Sequence, residues 1–280
     1  MPTPHGLAGT SPRQLINPRE RFLYAAMVVV SLLVYSGLLF VGLSKPEAAA
    51  SILLYGLLFT FIGIFAQGLA LGRVRGNAVR VSERQFPQLH RLAAAHAQRI
   101  GLKRAPAVYV MESGGLLNAF ATRFMGRDFV IVHSDVLELA LARGESAVGF
   151  IMGPELAHVW RGHLKHRWLT LPARLVPYLG LAYSRACEYT CDRIAAHCQP
   201  DGAVDGLLTL AAGPELYRRV DAREFAEQVK TEGGFWVRRA ELMSTHPTLP
   251  KRLAAVIAAG ANVPAYTPVH ADAPSWLTSA

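Results

Sequence analysis

Gly153-Pro154-Glu155-Leu156-Ala157-His158-Val159-Trp160-Arg161-Gly162-His163 is the stretch on which the reading of this 280-residue chain turns. With a histidine at 154 it would read H-E-x-x-H. Two imidazoles at i and i+4 lie on one helix face and can hold a single zinc ion, and the Glu between them can take a proton from zinc-bound water. Position 154 is proline, which cannot ligate a metal. Inside a helix it also loses the bond to the carbonyl of Phe150 and clashes with it, at ~3 kcal/mol or more. It further biases Gly153 away from helical angles. The expectation is a helix that kinks at Pro154.

A hydrolytic zinc needs a third protein ligand and one open position. Four stretches carry the rest of the pattern: Asn118-Ala119-Phe120-Ala121; Glu155-Leu156-Ala157-His158 with His163; Ser184-Arg185-Ala186-Cys187-Glu188-Tyr189 with Asp192; and Thr245-His246-Pro247 with Arg252. In this order the chain resembles the HtpX-like membrane zinc metallopeptidases, gluzincins related to the CAAX prenyl endopeptidase. The resemblance covers residues 80–258 and extends to the membrane hairpin described below.

That resemblance implies a zincin-like domain, mainly α with a small β-sheet, binding one Zn2+. It assigns His158 and Glu188 as metal ligands, Glu155 as general base and His246 as support for the tetrahedral intermediate. Asp192 falls one turn beyond Glu188, where a carboxylate can orient a metal-bound imidazole; Arg252 belongs to the same outer layer. Asn118, Ala119 and Phe120 lead into the strand beside the substrate. The implied reaction is peptide-bond hydrolysis of membrane or membrane-proximal polypeptides, at a bacterial inner (plasma) membrane with the peptidase domain facing the cytoplasm.

Pro154 departs from that pattern and leaves three readings open. The chain is an inactive relative that keeps the fold and binds polypeptides or a partner; or it is an active design carrying one substitution; or its site is rebuilt around His163, His166 or a cysteine. Helical geometry weighs against the last, because His163, five residues on, lies about 140° round a regular helix from His158. Read blandly, His133, His163 and His166 are surface or outer-layer groups, and Trp160, Trp168 and Trp236 are packing or interfacial residues.

Working toward the N-terminus, Phe22 to Leu43 and Ala48 to Leu71 are uncharged, predominantly apolar runs. Each matches the ~20 residues a helix needs to cross a bilayer. The intervening Ser44-Lys45-Pro46-Glu47 forces a helical hairpin. The first run is too long for a signal peptide and a second follows at once. Arg13, Arg19 and Arg21 precede the hairpin and Arg73, Arg75 and Arg80 follow it, so the positive-inside rule puts both ends in the cytoplasm. The apolar fraction of 51% is consistent with such an anchor.

Lys plus Arg outnumber Asp plus Glu by 29 to 20, a net charge of +9. The basic residues are dispersed, without a dense run interleaved with aromatics, which argues against nucleic acid and leaves the lipid bilayer and a polypeptide substrate as partners. Cys187, Cys191 and Cys198 read as reduced, buried thiols.

The expected organisation is a disordered cytoplasmic tail at 1–21, the hairpin at 22–72, the peptidase domain at 80–260 and a loose tail at 261–280. Within the domain, helices are expected at 84–100 (capped by Ser82), from Ser134 to Leu141, at 144–168, around Glu188 and Asp192, and at 204–218, 221–231 and 248–259. Strands are expected at 107–111 and 129–132, with a turn at 112–115. Leu171 to Tyr183 is apolar but interrupted by Pro172, Arg174 and Pro177, and reads as an interfacial or partly inserted segment.

Overall fold

A computed structural model describes residues 9–112, 119–135, 138 and 145–266. Two long helices open it, α1 (Pro18–Ser44) and α2 (Pro46–Asn77). Asn17 caps α1 by accepting the Arg19 N–H, and prolines occupy the first helical position of both, where a missing N–H costs nothing. The expected four-residue loop therefore shrinks to Lys45. Both helices are long and apolar enough to cross a membrane, and only 11% and 0% of their most apolar windows are buried. They are not core helices of the globular part.

The disordered tail expected at 1–21 is corrected over its second half. Pro12–Leu15 forms a turn of 3-10 helix, Leu15 and Ile16 are buried, and the Asn17 N–H donates to Thr190 Oγ1 at 2.9 Å. Glu20, also placed in the tail, is 1% exposed. Packing and a buried ion pair bind this segment to the domain; residues 1–8 lie outside the described ones.

A four-stranded mixed sheet follows, of β1 (Val79–Arg80), β2 (Ala107–Met111), β3 (Ala119–Phe124) and β4 (Arg127–His133), in the order β1-β2-β4-β3. β2 and β4 are parallel; the other pairs are antiparallel. Strand alternation sends Val108, Val110, Val130 and Val132 into the main core, while Tyr109, Phe129 and Ile131 pack against Leu71 and Val74 of α2. Burial on both faces explains why β4 reads as an unbroken apolar run. β3 lies at the sheet edge. The full extent of β3, and β1, exceed what the sequence predicts. Asn118, the turn beyond Glu112, and most of the helix expected from Ser134 to Leu141 lie outside the described residues.

The remaining helices are α3 (Pro87–Arg99), α4 (Glu145–Arg161), α5 (Leu171–Arg174), α6 (Leu179–Cys198), α7 (Ala203–Leu216), α8 (Ala222–Thr231), α9 (Phe235–Leu242) and α10 (Leu249–Ala258). Ser82 does not cap α3: it closes a turn with Gln85, and Pro87 sets the helix start with Phe86 left-handed before it. The apolar stretch 171–183 divides between α5 and the first turn of α6. α9, unexpected from the sequence, has no buried residue.

Two corrections concern α4. It runs as one continuous helix through Pro154 instead of breaking there. In α7, by contrast, the residue before Pro214 leaves helical angles altogether, with Gly213 at φ 80° and ψ 170°. α4 instead lies so close to α6 that a Cβ at Gly153 would come within 2.7 Å of the Ala195 Cβ. The buried side chains around it, Phe150, Met152, Leu156 and Ala157, fix its path, so tertiary packing overrides the local preference. Second, α4 stops at Arg161 rather than continuing to Trp168. Gly162 is left-handed at φ 71°, its N–H donates to Val159 O and the His163 N–H donates to His158 O at 3.2 Å. This Schellman ending turns the chain back over the last helical turn.

Residues 168–178 pack beside the hairpin. Tyr35 Oη donates to Trp168 O at 2.7 Å, the Ala173 N–H donates to Ser31 Oγ, and Met27 clusters with Ala173, Tyr183 and Cys187.

Gly153→Val should destabilise the fold by about 1–3 kcal/mol, as overpacking a tight core contact does. Denaturant unfolding of the detergent-solubilised protein measures this, and an unchanged midpoint would contradict the close α4–α6 contact.

Candidate active site

α4 and α6 bring His158 and Glu188 face to face, with His158 Nε2 3.1 Å from Glu188 Oε1. Glu188 is 5% exposed, and a charge so buried needs partners. Its other oxygen lies 3.5 Å from Arg252 Nη2, on α10. Arg252 in turn forms a two-pronged pair with Asp192 at 2.7 and 2.8 Å. Asp192 thus holds Glu188 through Arg252. His246 approaches from the loop before α10, its Nε2 3.5 Å from Glu188 Oε1 and its side chain 57% exposed. That loop is tied down by Arg185, which donates to the carbonyls of Glu241, Leu242 and Ser244.

Glu155, the expected general base, accepts the Ala121 N–H of edge strand β3 at 2.7 Å. Its carboxyl is pushed up to about 7, first by burial and then by the nearby Glu188 charge, against the pull of His158. Phe120 is exposed on the same strand and stacks edge-on against His133. The structure therefore gathers Glu155, His158, Glu188, Asp192, His246 and Arg252, with Ala119 and Phe120 on the adjoining strand.

Behind His158 lies a layer that the sequence reading did not assemble. The Gly162 turn swings His163 back, so that His158 Nδ1 and His163 Nδ1 are 2.9 Å apart. The 140° separation expected for a continuous helix does not apply, because the helix has ended. His163 Nε2 lies 3.1 Å from Glu20 Oε1, and Arg161 donates to the same oxygen at 2.9 and 2.5 Å. Cys191 Sγ is 3.9 Å from His163 Nδ1. Glu20, read from sequence as part of the tail, and His163, read as a surface or outer-layer group, are thus part of the site's foundation. The legible signal was Gly162, a helix-ending residue one position before His163.

Either imidazole can carry the second proton, and the Glu188 hydrogen bond and charge favour His158. A doubly protonated His158 donates from Nε2 to Glu188 and from Nδ1 to His163, and neutral His163 donates from Nε2 to Glu20. Burial alone would depress both imidazoles. For His158 the hydrogen bond and charge of Glu188 override it and raise the pKa to about 9, whereas His163 stays lowered. Glu188 is likewise penalised by burial, yet His158 and Arg252 bring it down to about 2.

The donor set does not fit the three-ligand zinc that H-E-x-x-H chemistry requires. Pro154 offers no donor. Among the described residues, the groups of three ligating atoms within 4.8 Å of one another are His158, His163 and Cys191, and Glu20, His163 and Cys187; neither includes Glu188 or His246.

A helix presenting Glu and His beside an edge strand, answered by a Glu on the next long helix, defines the architecture of a zincin-type metallopeptidase. The family model of peptidase family M48 matches residues 83–175 and 167–259, together more than half of the chain, and the protein belongs to that family of zinc-dependent metallopeptidases. Comparison with curated proteins and with solved structures gave no match.

Arg252→Met should cost about 3–5 kcal/mol, because it strands the buried Asp192 carboxylate and loosens Glu188. Urea unfolding against the parent reads this out. The His158–Glu188 pair also predicts a pH profile for chelator-treated protein. His158 titrates above its usual range, so its contribution is complete below about pH 6.5 and is lost as pH rises through about 9. Glu188 titrates below its usual range, so its contribution is complete above about pH 4.5 and is lost as pH falls toward 2. The melting temperature should fall between pH 7 and 9.5, and His158→Gln should flatten that fall.

Proposed function

We propose that the chain is a membrane-anchored M48 protein whose globular domain faces the cytoplasm and receives extended polypeptide along β3, with peptide-bond hydrolysis strongly impaired by Pro154. The observation that carries this reading is the mismatch at one position in a preserved frame. His158 and His246 both approach Glu188, Glu155 lies one helical turn before His158 against β3, and residue 154 supplies no ligand.

Three features support the substrate side. β3 is an edge strand, and edge strands bind extended chains through main-chain hydrogen bonds. The Ala121 N–H is given to Glu155 rather than to β4, so an incoming carbonyl would compete for it. Phe120 offers an exposed apolar contact on the same strand.

The two apolar helices support the anchor, and the arginines flanking them support the cytoplasmic orientation. Residues 168–178 meet α1 at Met27, Ser31 and Tyr35, which at 1.5 Å per residue is roughly 8–20 Å past Phe22. In a membrane this segment lies against the hairpin within the bilayer. Its backbone groups at Trp168 and Ala173 are satisfied by Tyr35 and Ser31, as such a location demands. Its exposed Leu171, Leu175 and Val176 then face lipid.

A second reading, a non-enzymatic polypeptide-binding scaffold, draws on the same lack of a ligand at 154. Pro154→His separates the two. The variant should hold about one zinc equivalent more than the parent and hydrolyse an unstructured polypeptide such as casein at least about 100-fold faster, since even an outer-layer partner of a metal is worth 10–100-fold. A variant that binds zinc but remains inert would favour the scaffold. A parent already as active as the variant would overturn the assignment of impairment.

A further inference from the structure

We infer that the chain binds a thiophilic divalent cation, Zn2+ in the first instance, at His158 Nδ1, His163 Nδ1 and the Cys191 thiolate, on the side of His158 that faces away from the cleft. This inference stands apart from the proposed peptidase reading, because it uses the opposite ring nitrogen of His158 and neither Glu155 nor Glu188 as a ligand.

The first argument is spacing. The three ligating atoms lie within 4.8 Å of one another, with the two Nδ1 atoms 2.9 Å apart and Sγ 3.9 Å from His163 Nδ1. A tetrahedral zinc with Zn–N near 2.0–2.1 Å and Zn–S near 2.3 Å sets such atoms roughly 3.3–3.6 Å apart. The His163 pairings need adjustments of a few tenths of an ångström, and the His158 Nδ1–Cys191 Sγ pair, within 4.8 Å, closes by about an ångström at most.

The second argument is what stands behind each imidazole. Histidines that bind metal through one nitrogen characteristically donate from the other to a carboxylate, which fixes the tautomer and raises basicity. Both do so here: His158 Nε2 faces Glu188 Oε1 and His163 Nε2 faces Glu20 Oε1, each at 3.1 Å. Two carboxylate–histidine pairs thus aim their free nitrogens at one another beside a buried thiol. Without a cation, one of those Nδ1 atoms must be protonated to tolerate the other.

The third argument is charge and softness. The thiol selects Zn2+ or Co2+ over Mg2+ or Ca2+. A dication joined to one thiolate leaves a single positive charge between the carboxylates of Glu20 and Glu188. The alternative trio of Glu20, His163 and Cys187 offers one imidazole instead of two, with Arg161 on Glu20 Oε1 and only Oε2 open, and the variants below distinguish it. The ion would tie the end of α4 to α6.

The test uses the full-length, detergent-purified chain, stripped with chelator and titrated with Co2+. A thiolate-to-cobalt charge-transfer band in the near ultraviolet is expected at one equivalent. It should vanish in Cys191→Ser and His163→Gln, persist unchanged in Cys187→Ser, and in Glu188→Gln persist with affinity weakened about 10–100-fold, with circular dichroism confirming that each variant is folded. X-ray absorption on the zinc-loaded parent needs no variant and should find sulfur and nitrogen together in the zinc shell. No sulfur in that shell, a missing cobalt band, or a band that survives Cys191→Ser would overturn the inference. Loss of the band in Cys187→Ser alone would also overturn it, moving the ion to the other trio. Metal binding that lacks the band and disappears in Glu188→Gln would place the ion in the cleft, where the peptidase reading would stand while this one fell.

Discussion

The close approach of α4 to α6 is the constraint from which the site follows. At Gly153 the helices leave no room for a side chain, and that proximity lets His158 reach Glu188 across the gap. Glu188 cannot remain ionised there unaided, so Arg252 must come from α10, and Arg252 in turn needs Asp192. Each buried charge is supplied with an opposite one from another element, which links α4, α6 and α10. Such a network contributes little by replacing water contacts, but losing one member leaves an unpaired charge in the interior. The site and the fold therefore fail together.

The same logic reaches the N-terminal helices. Glu20 opens α1, yet its side chain lies under the end of α4, paired with Arg161 and His163. The apolar hairpin is consequently not a tether on a flexible linker. Its first turn is part of the support for the imidazoles, and Met27, Ser31 and Tyr35 continue the contact along residues 168–178. A rotation or tilt of α1 would be felt at His163 and, through the Nδ1 contact, at His158.

The sequence made much of this legible where the signal was local or carried by residue type. The two apolar runs, β2 and β4, the residues of the cleft and the helices carrying them were all read from pattern and resemblance. Three features were not, each for a physical reason. The continuity of α4 through Pro154 depends on packing against α6, which outweighs a preference measured in isolated helices. The role of Glu20 depends on a contact 141 residues away, which no local pattern encodes. The position of His163 depends on a single backbone angle at Gly162, and there a helical wheel misleads, because it assumes the helix continues.

Pro154 takes its meaning from that asymmetry. A proline that broke α4 would have disordered Glu155 and His158 together, and the site would have been lost with the ligand. α4 instead stays continuous, so the substitution removes one donor and leaves the geometry around it. Glu155 keeps its hydrogen bond to β3, and Glu188 keeps its ion pairs. His158 Nε2 hydrogen-bonds to Glu188 directly, and the pair is a buried salt bridge. That pair holds the two helices together. That explains how the frame of a metallopeptidase can persist around a position that cannot ligate metal.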